Sequence, residues 1–107
     1  MADPATLSLA EIEKLALSAL KRAGASDTQA APLARAIAAA EGDGLASHGL
    51  AYLATYCEHL QVGKVIGTAV PAVSTPAPAV VTVDAGSGFA HPAIDAGFAR
   101  LVPLTRT

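Results

Sequence analysis

Tryptophan is absent from this sequence, and two phenylalanines and two tyrosines bring the aromatic share to only 4% in a chain that is 52% hydrophobic. Alanine supplies much of that apolar content. The core must therefore form by close approach of small side chains, with less stabilisation per residue than large anchors provide. The single cysteine, Cys57, rules out an internal disulfide. Basic residues are few: seven Lys and Arg against nine Asp and Glu give a formal net charge of -2. They are spread thinly, so no basic stripe is available to neutralise phosphates, and nucleic acid is not an expected partner. No run of about 18 residues is free of proline, glycine or charge, so no membrane span is expected despite a mean hydropathy of +0.45. The opening segment contains Asp3, Glu11 and Glu13 and lacks the basic and apolar regions of a secretory signal. The expected setting is reducing and cytoplasmic. A chain of 107 residues makes at most one ordinary domain, burying about 60–70% of its unfolded surface.

Three helices are expected first. Ser8-Leu9-Ala10-Glu11 has the form of a capping box, and Ile12, Leu15, Ala16, Ala19 and Leu20 follow at helical spacing until Lys21, Arg22 and Gly24 close the last turn. Ser26 or Asp27 caps a second helix reaching Glu41, with Leu33, Ala36, Ile37 and Ala40 on one face. Pro32 conflicts with that start, so the helix either begins near Ala31 or starts kinked. Glu41-Gly42-Asp43-Gly44 interrupts the pattern. Ser47 is placed to cap a third helix, with His48 in its first turn and Gly63 at its end. On it Leu50, Leu53, Cys57 and Leu60 form an apolar row beside a second row of His48, Tyr52, Tyr56 and His59.

The pattern changes beyond Val62. Pro71, Pro76 and Pro78 restrict residues 69–78 to extended or looping chain, while Ala79 to Val83, "AVVTV", reads as a strand followed by the turn Asp84-Ala85-Gly86-Ser87-Gly88. Val65-Ile66 or Val70 to Val73 supply at most one partner strand. Pro92 lies near the start of a last helix carrying Ile94, Phe98 and Leu101. A nearly partnerless strand and a final helix without a glycine stop suggest a chain cut short, although Pro103 is itself a candidate helix break.

His48 is the residue on which chemistry can rest. At a helix amino end, free N–H groups and the dipole disfavour imidazolium, which suits proton exchange near neutral pH. From spacing alone, a histidine that merely caps or packs is the commoner case. Cys57, Glu58 and His59 point in different directions on a helix, so no metal site is expected. His91 reads as a cap for the last helix. The turn at 84–88 lacks the third glycine of a dinucleotide fingerprint.

The stretch "AEGDGLASHGLAYLATYCEHLQVGKV" resembles the malate/L-lactate dehydrogenase family of the non-Rossmann type. The matching positions are Asp43, Gly44, Ser47-His48-Gly49-Leu50, Leu53 and Tyr56, and "GKVIGTAVPAV" and "VDAGSGFAHPAIDAG" extend the likeness over nearly the whole chain. The resemblance implies reduction of a 2-oxo acid or imine, or the reverse reaction, with hydride from NAD or NADP, His48 as the general acid and base, and Ser47 positioning the substrate. It also implies a homodimer through the helical surface. Tyr52 stands where the family has an arginine that grips a substrate carboxylate. Family chains continue further, so the cofactor-binding residues are expected beyond Thr107 and the isolated chain is expected to be inactive. The expected fold class is α+β: a three-helix unit over residues 1–63, then over 64–107 a short strand or hairpin and a helix that begin a truncated α+β domain. The rival reading is a non-catalytic helical interaction module or a decayed remnant.

Overall fold

The local rules that predict the first helix hold to the residue. In a computed structural model, which describes residues 7–44 and 49–105, the elements run α1 (Leu9–Arg22), α2 (Asp27–Gly42), α3 (Leu50–Gln61), β1 (Ala72–Ala77), β2 (Val80–Asp84) and α4 (Ala90–Leu104). The class is α+β. The Glu11 N–H donates to Ser8 Oγ at 3.1 Å and the Ser8 N–H donates back to Glu11 Oε1 at 3.1 Å. The Ser8 N–H, and secondarily the Ser8 hydroxyl, hold the Glu11 carboxyl below its ordinary pKa. Gly24 follows the helix at φ +117°, a conformation that a side chain rarely allows.

Ser26 caps α2, accepting the Gln29 N–H at 3.3 Å. The helix begins at Asp27 and not near Ala31, carrying Pro32 as its sixth residue. Proline removes the bond to the Thr28 carbonyl. Thr28 is exposed, so water can serve that carbonyl and the cost stays local. The core forms where α1 meets α2: Ile12, Ala16 and Leu20 pack against Ala30, Leu33, Ala34, Ile37 and Ala38. Alanine at the contact lets the helices draw together, as the composition requires. Leu15, expected in the apolar row, is instead 49% exposed. The buried stripe of α1 runs at four-residue steps from Ile12, and Leu15 lies to one side of it.

Helix α3 lies on this pair less deeply. Leu50, Leu53, Tyr56, Cys57 and Leu60 are partly buried against the core, yet no α3 residue is fully buried. The chain then crosses beneath α2, where the Ser26 N–H donates to the Gly67 carbonyl at 2.8 Å. A Cβ at Gly67 would collide with the Gly24 carbonyl, so this crossing requires glycine.

β1 and β2 form an antiparallel hairpin, so the strand read from "AVVTV" has its partner in the proline-bearing segment. Ala72 pairs with Asp84, Val73 with Val83 and Ser74 with Thr82, but then Ala77 with Val80. Thr75 and Pro76 therefore face Val81 together in a bulge, which accommodates a residue with no N–H for the ladder. Ala79 lies in the connecting turn at φ +58°, not in the strand. An alanine there is strained by roughly 1–2 kcal/mol. Ala79→Gly is expected to stabilise the chain by about 0.5 kcal/mol, strain relief outweighing glycine's extra unfolded-state entropy. A thermal midpoint below the parent's would refute the left-handed turn.

α4 packs on β2 and α2, and it continues through Pro103 to Leu104. Its residues Ile94, Phe98 and Leu101 line an open groove of about 390 Å³ with Val81 and Val83, leaving Phe98 60% exposed. Among the described residues no helix is long and apolar enough to cross a membrane.

Candidate functional site

The junction of α2 and α3 is built around one carboxylate. Glu41, near the end of α2, accepts the Leu50 N–H on Oε1 at 2.7 Å. A Cβ on Gly49 would collide with this carboxylate, so glycine lets the two helices close on each other. The N-cap of α3 is thus Gly49, without a side-chain cap. The physical reason is that Glu41 reaches across from the neighbouring helix and takes the donor that a serine hydroxyl was expected to take. Its charge also offsets part of the positive dipole end of α3. Ser47 and His48 themselves lie outside the described residues; Asp43, the C-cap of α2, and Gly44, at φ +75°, lead into them.

One turn into α3, Tyr52 and Tyr56 share a face, as their four-residue spacing predicts. Their rings meet edge-on, with centroids 4.8 Å apart and planes at 70°. Tyr56 meets Phe89 in the same way at 5.6 Å and 90°. Tyr52 is 39% exposed and Phe89 is buried, so the rings form a ladder from the surface to the core. Burial, and secondarily the neighbouring Tyr52, pushes the Tyr56 phenol above its ordinary pKa of 10.0. At its inner end the ladder meets Gln29, whose amide is fully buried. Gln29 Nε2 donates to the Ala69 carbonyl at 2.6 Å, and Gln29 Oε1 accepts the Phe89 N–H at 2.8 Å. Neither Phe89 nor Gln29 was recognisable from local spacing, because their partners are 40 and 60 positions away.

His59 shares the tyrosine side of α3 and is half-buried. Cys57 is turned toward α1, where Sγ donates to the Ala19 carbonyl at 3.7 Å, and burial raises its thiol pKa. Among the described residues no three His, Cys, Asp or Glu side chains converge as metal ligands would.

His91 is not the cap of α4. The N-cap is Phe89, and His91 sits in the first turn with Nδ1 buried and unpartnered among the described residues. It faces Pro32 and the Arg35–Asp95 ion pair, whose 3.0 Å contact ties α2 to α4. Burial lowers the His91 pKa below 6.5, with Asp95 opposing. As pH falls through about 6.5 the unfolded chain takes up this proton before the folded one does, so stability is complete above that pH and declines below it, levelling at the depressed folded value. Denaturant midpoints at pH 7.5 and 5.5 should therefore converge in His91→Gln relative to the parent. An undiminished difference would assign the pH dependence elsewhere.

The turn after β2 could be mistaken for a phosphate cradle. Gly86 and Ser87 are both left-handed, at φ +63°, and the Gly88 N–H closes the turn on the Ala85 carbonyl at 3.0 Å. The Gly86 N–H is taken by Asp84 Oδ1 at 2.8 Å. The Gly86 and Gly88 donors are thus engaged internally beside a carboxylate, which does not suit a dinucleotide pyrophosphate.

Comparison with known proteins adds the following. The sequence model described as malate/L-lactate dehydrogenase matches residues 7–107. The (2R)-3-sulfolactate dehydrogenase (NADP(+)) of Chromohalobacter salexigens is 45% identical over 100 residues, covering 94% of this chain and 30% of its own length. The Delta(1)-pyrroline-2-carboxylate reductase of Ancylobacter novellus is 40% identical over 106 residues, covering 99% of this chain and 31% of its own. The crystal structure of delta1-piperideine-2-carboxylate reductase from Pseudomonas syringae pv. tomato superposes with a TM-score of 0.92 at 36% identity, over 96% of this chain and 31% of that one. The chain thus spans less than a third of the length of these relatives.

Proposed function

Because the chain belongs to the malate/L-lactate dehydrogenase family, we propose that it supplies the proton-transfer side of an NAD(P)-dependent oxidoreductase acting on a 2-oxo acid or a cyclic imine. The observation that carries this reading is the pairing of Ser47-His48-Gly49 with a helix start held in place by Glu41 immediately after it. His48 gives a proton to the carbonyl oxygen or imine nitrogen as the adjacent carbon is reduced, and recovers it in the reverse direction. Ser47 orients the substrate. Tyr52, one turn on and exposed, presents a single uncharged donor to it. The names of the sulfolactate dehydrogenase and the pyrroline carboxylate reductase support small acids as the substrate class. A nicotinamide cofactor, when bound, would supply the hydride, and the engaged Gly86 and Gly88 donors beside Asp84 suit its phosphates poorly.

The chain has three histidines, His48, His59 and His91, whose ring resonances can be followed separately by NMR. Adding pyruvate or a pyrroline-2-carboxylate should displace the His48 signals and its titration midpoint while leaving His91 unmoved. If His48 ignores every such acid, the helical-module reading prevails.

A further inference from the structure

We infer that Gln29 is a positioning residue: its buried amide fixes Phe89 and, through that ring, holds Tyr56 and Tyr52 in place on α3. The bearing of this on catalysis rests on reading the tyrosine face as substrate-facing, but the linkage itself does not.

Gln29 is the one buried polar side chain among the described residues, with an exposure of 0%. Only a side chain with both a donor and an acceptor can serve its two partners at once, the Ala69 carbonyl and the Phe89 N–H. A leucine would leave both buried and unpaired, and a carboxylate could not donate to Ala69. Gly88 completes the arrangement, since a Cβ there would come within 2.6–2.8 Å of the Gln29 amide atoms. The amide thus clamps the crossing segment on one side and the entry to α4 on the other. Phe89 is the N-cap of α4 and makes no side-chain cap of its own, so the Gln29 bond fixes where this backbone sits.

The position of Phe89 then matters for α3, because that helix has no fully buried residue to lock it. Edge-on ring pairs stabilise only while their centroids stay within about 4.5–7 Å in a favourable orientation. A displaced Phe89 loosens Tyr56, and Tyr56 in turn supports Tyr52 at 4.8 Å. The raised Tyr56 pKa agrees with a phenol held partly out of water.

The chain has no tryptophan and exactly these two tyrosines, so near-ultraviolet circular dichroism and phenolate absorbance report chiefly on the ladder. Gln29→Leu should retain the far-ultraviolet helical signal, lose at least half of the tyrosine ellipticity, and bring the Tyr56 titration midpoint down towards 10. A merely structural role would lower the melting temperature and leave that midpoint where it was, which would overturn the inference. If Gln29→Leu fails to fold, Gln29→Glu decides. With its carboxyl protonated, this variant donates to Ala69 and accepts from Phe89, and the tyrosine signal should match the parent's. Once ionised, the carboxylate opposes the Ala69 carbonyl and the signal should fall. A Gln29→Glu signal that follows the parent's at every pH sinks the proposal. Failure of His48 to respond to keto-acids would leave these optical results untouched, so the two readings fail separately.

Discussion

His48→Asn is expected to lower kcat by roughly 10²–10⁴-fold, the usual contribution of a positioned general acid, in a chimera where this chain replaces the matching 31% of the Pseudomonas syringae reductase. The TM-score of 0.92 over 96% of this chain makes that exchange a conservative one. Asparagine keeps a polar group of similar reach but cannot carry a proton near neutral pH. The loss should fall on kcat more than on KM, and the pH profile of kcat should lose its histidine limb. A loss below tenfold in a chimera that is otherwise active would remove His48 from the proton-transfer role.

Gly88→Ala should be strongly destabilising for so small a substitution. The added methyl comes within 2.6–2.8 Å of the Gln29 amide, and that amide cannot swing aside without giving up both of its buried hydrogen bonds. Overpacking costs about 1–3 kcal/mol and an unpaired buried group about as much again. A combined loss of roughly 2–4 kcal/mol lowers the melting temperature of a domain of this size by about 10 °C or more. Gly44→Ala is a useful comparison, because a Cβ at Gly44 meets nothing within 4 Å and only its φ of +75° opposes substitution. If the two variants melt together, close approach at Gly88 is not what constrains that position.

What could be read from the sequence was what depended on near neighbours. The capping box of α1 joins residues three apart, and both of its bonds are present. The Tyr52 and Tyr56 row follows from a four-residue step. Pro32 misled because a missing N–H matters only where its acceptor has no alternative: the carbonyl it leaves belongs to the exposed Thr28, so α2 starts at Asp27 and not near Ala31. At Pro76 the extended chain expected for residues 69–78 is present as β1, with the proline in a bulge. The capping of α3 was misread because its acceptor is Glu41, nine positions from Leu50. Likewise His91 was read as a cap from its place beside Pro92, whereas it is turned inward toward the Arg35–Asp95 pair. No near neighbour in the sequence marks Gln29. Its role appears only once the chain has folded back on it twice.

The irregularity in β1 gives the hairpin a direction of growth. A strand that carries a proline and two residues opposite one is a poor template for further pairing, since its outer edge cannot present an evenly spaced row of donors and acceptors. β2 has neither defect along Val80–Asp84. Any strand recruited to widen this sheet would therefore add beside β2, and the β1 margin would remain a boundary against unwanted stacking of one molecule on another.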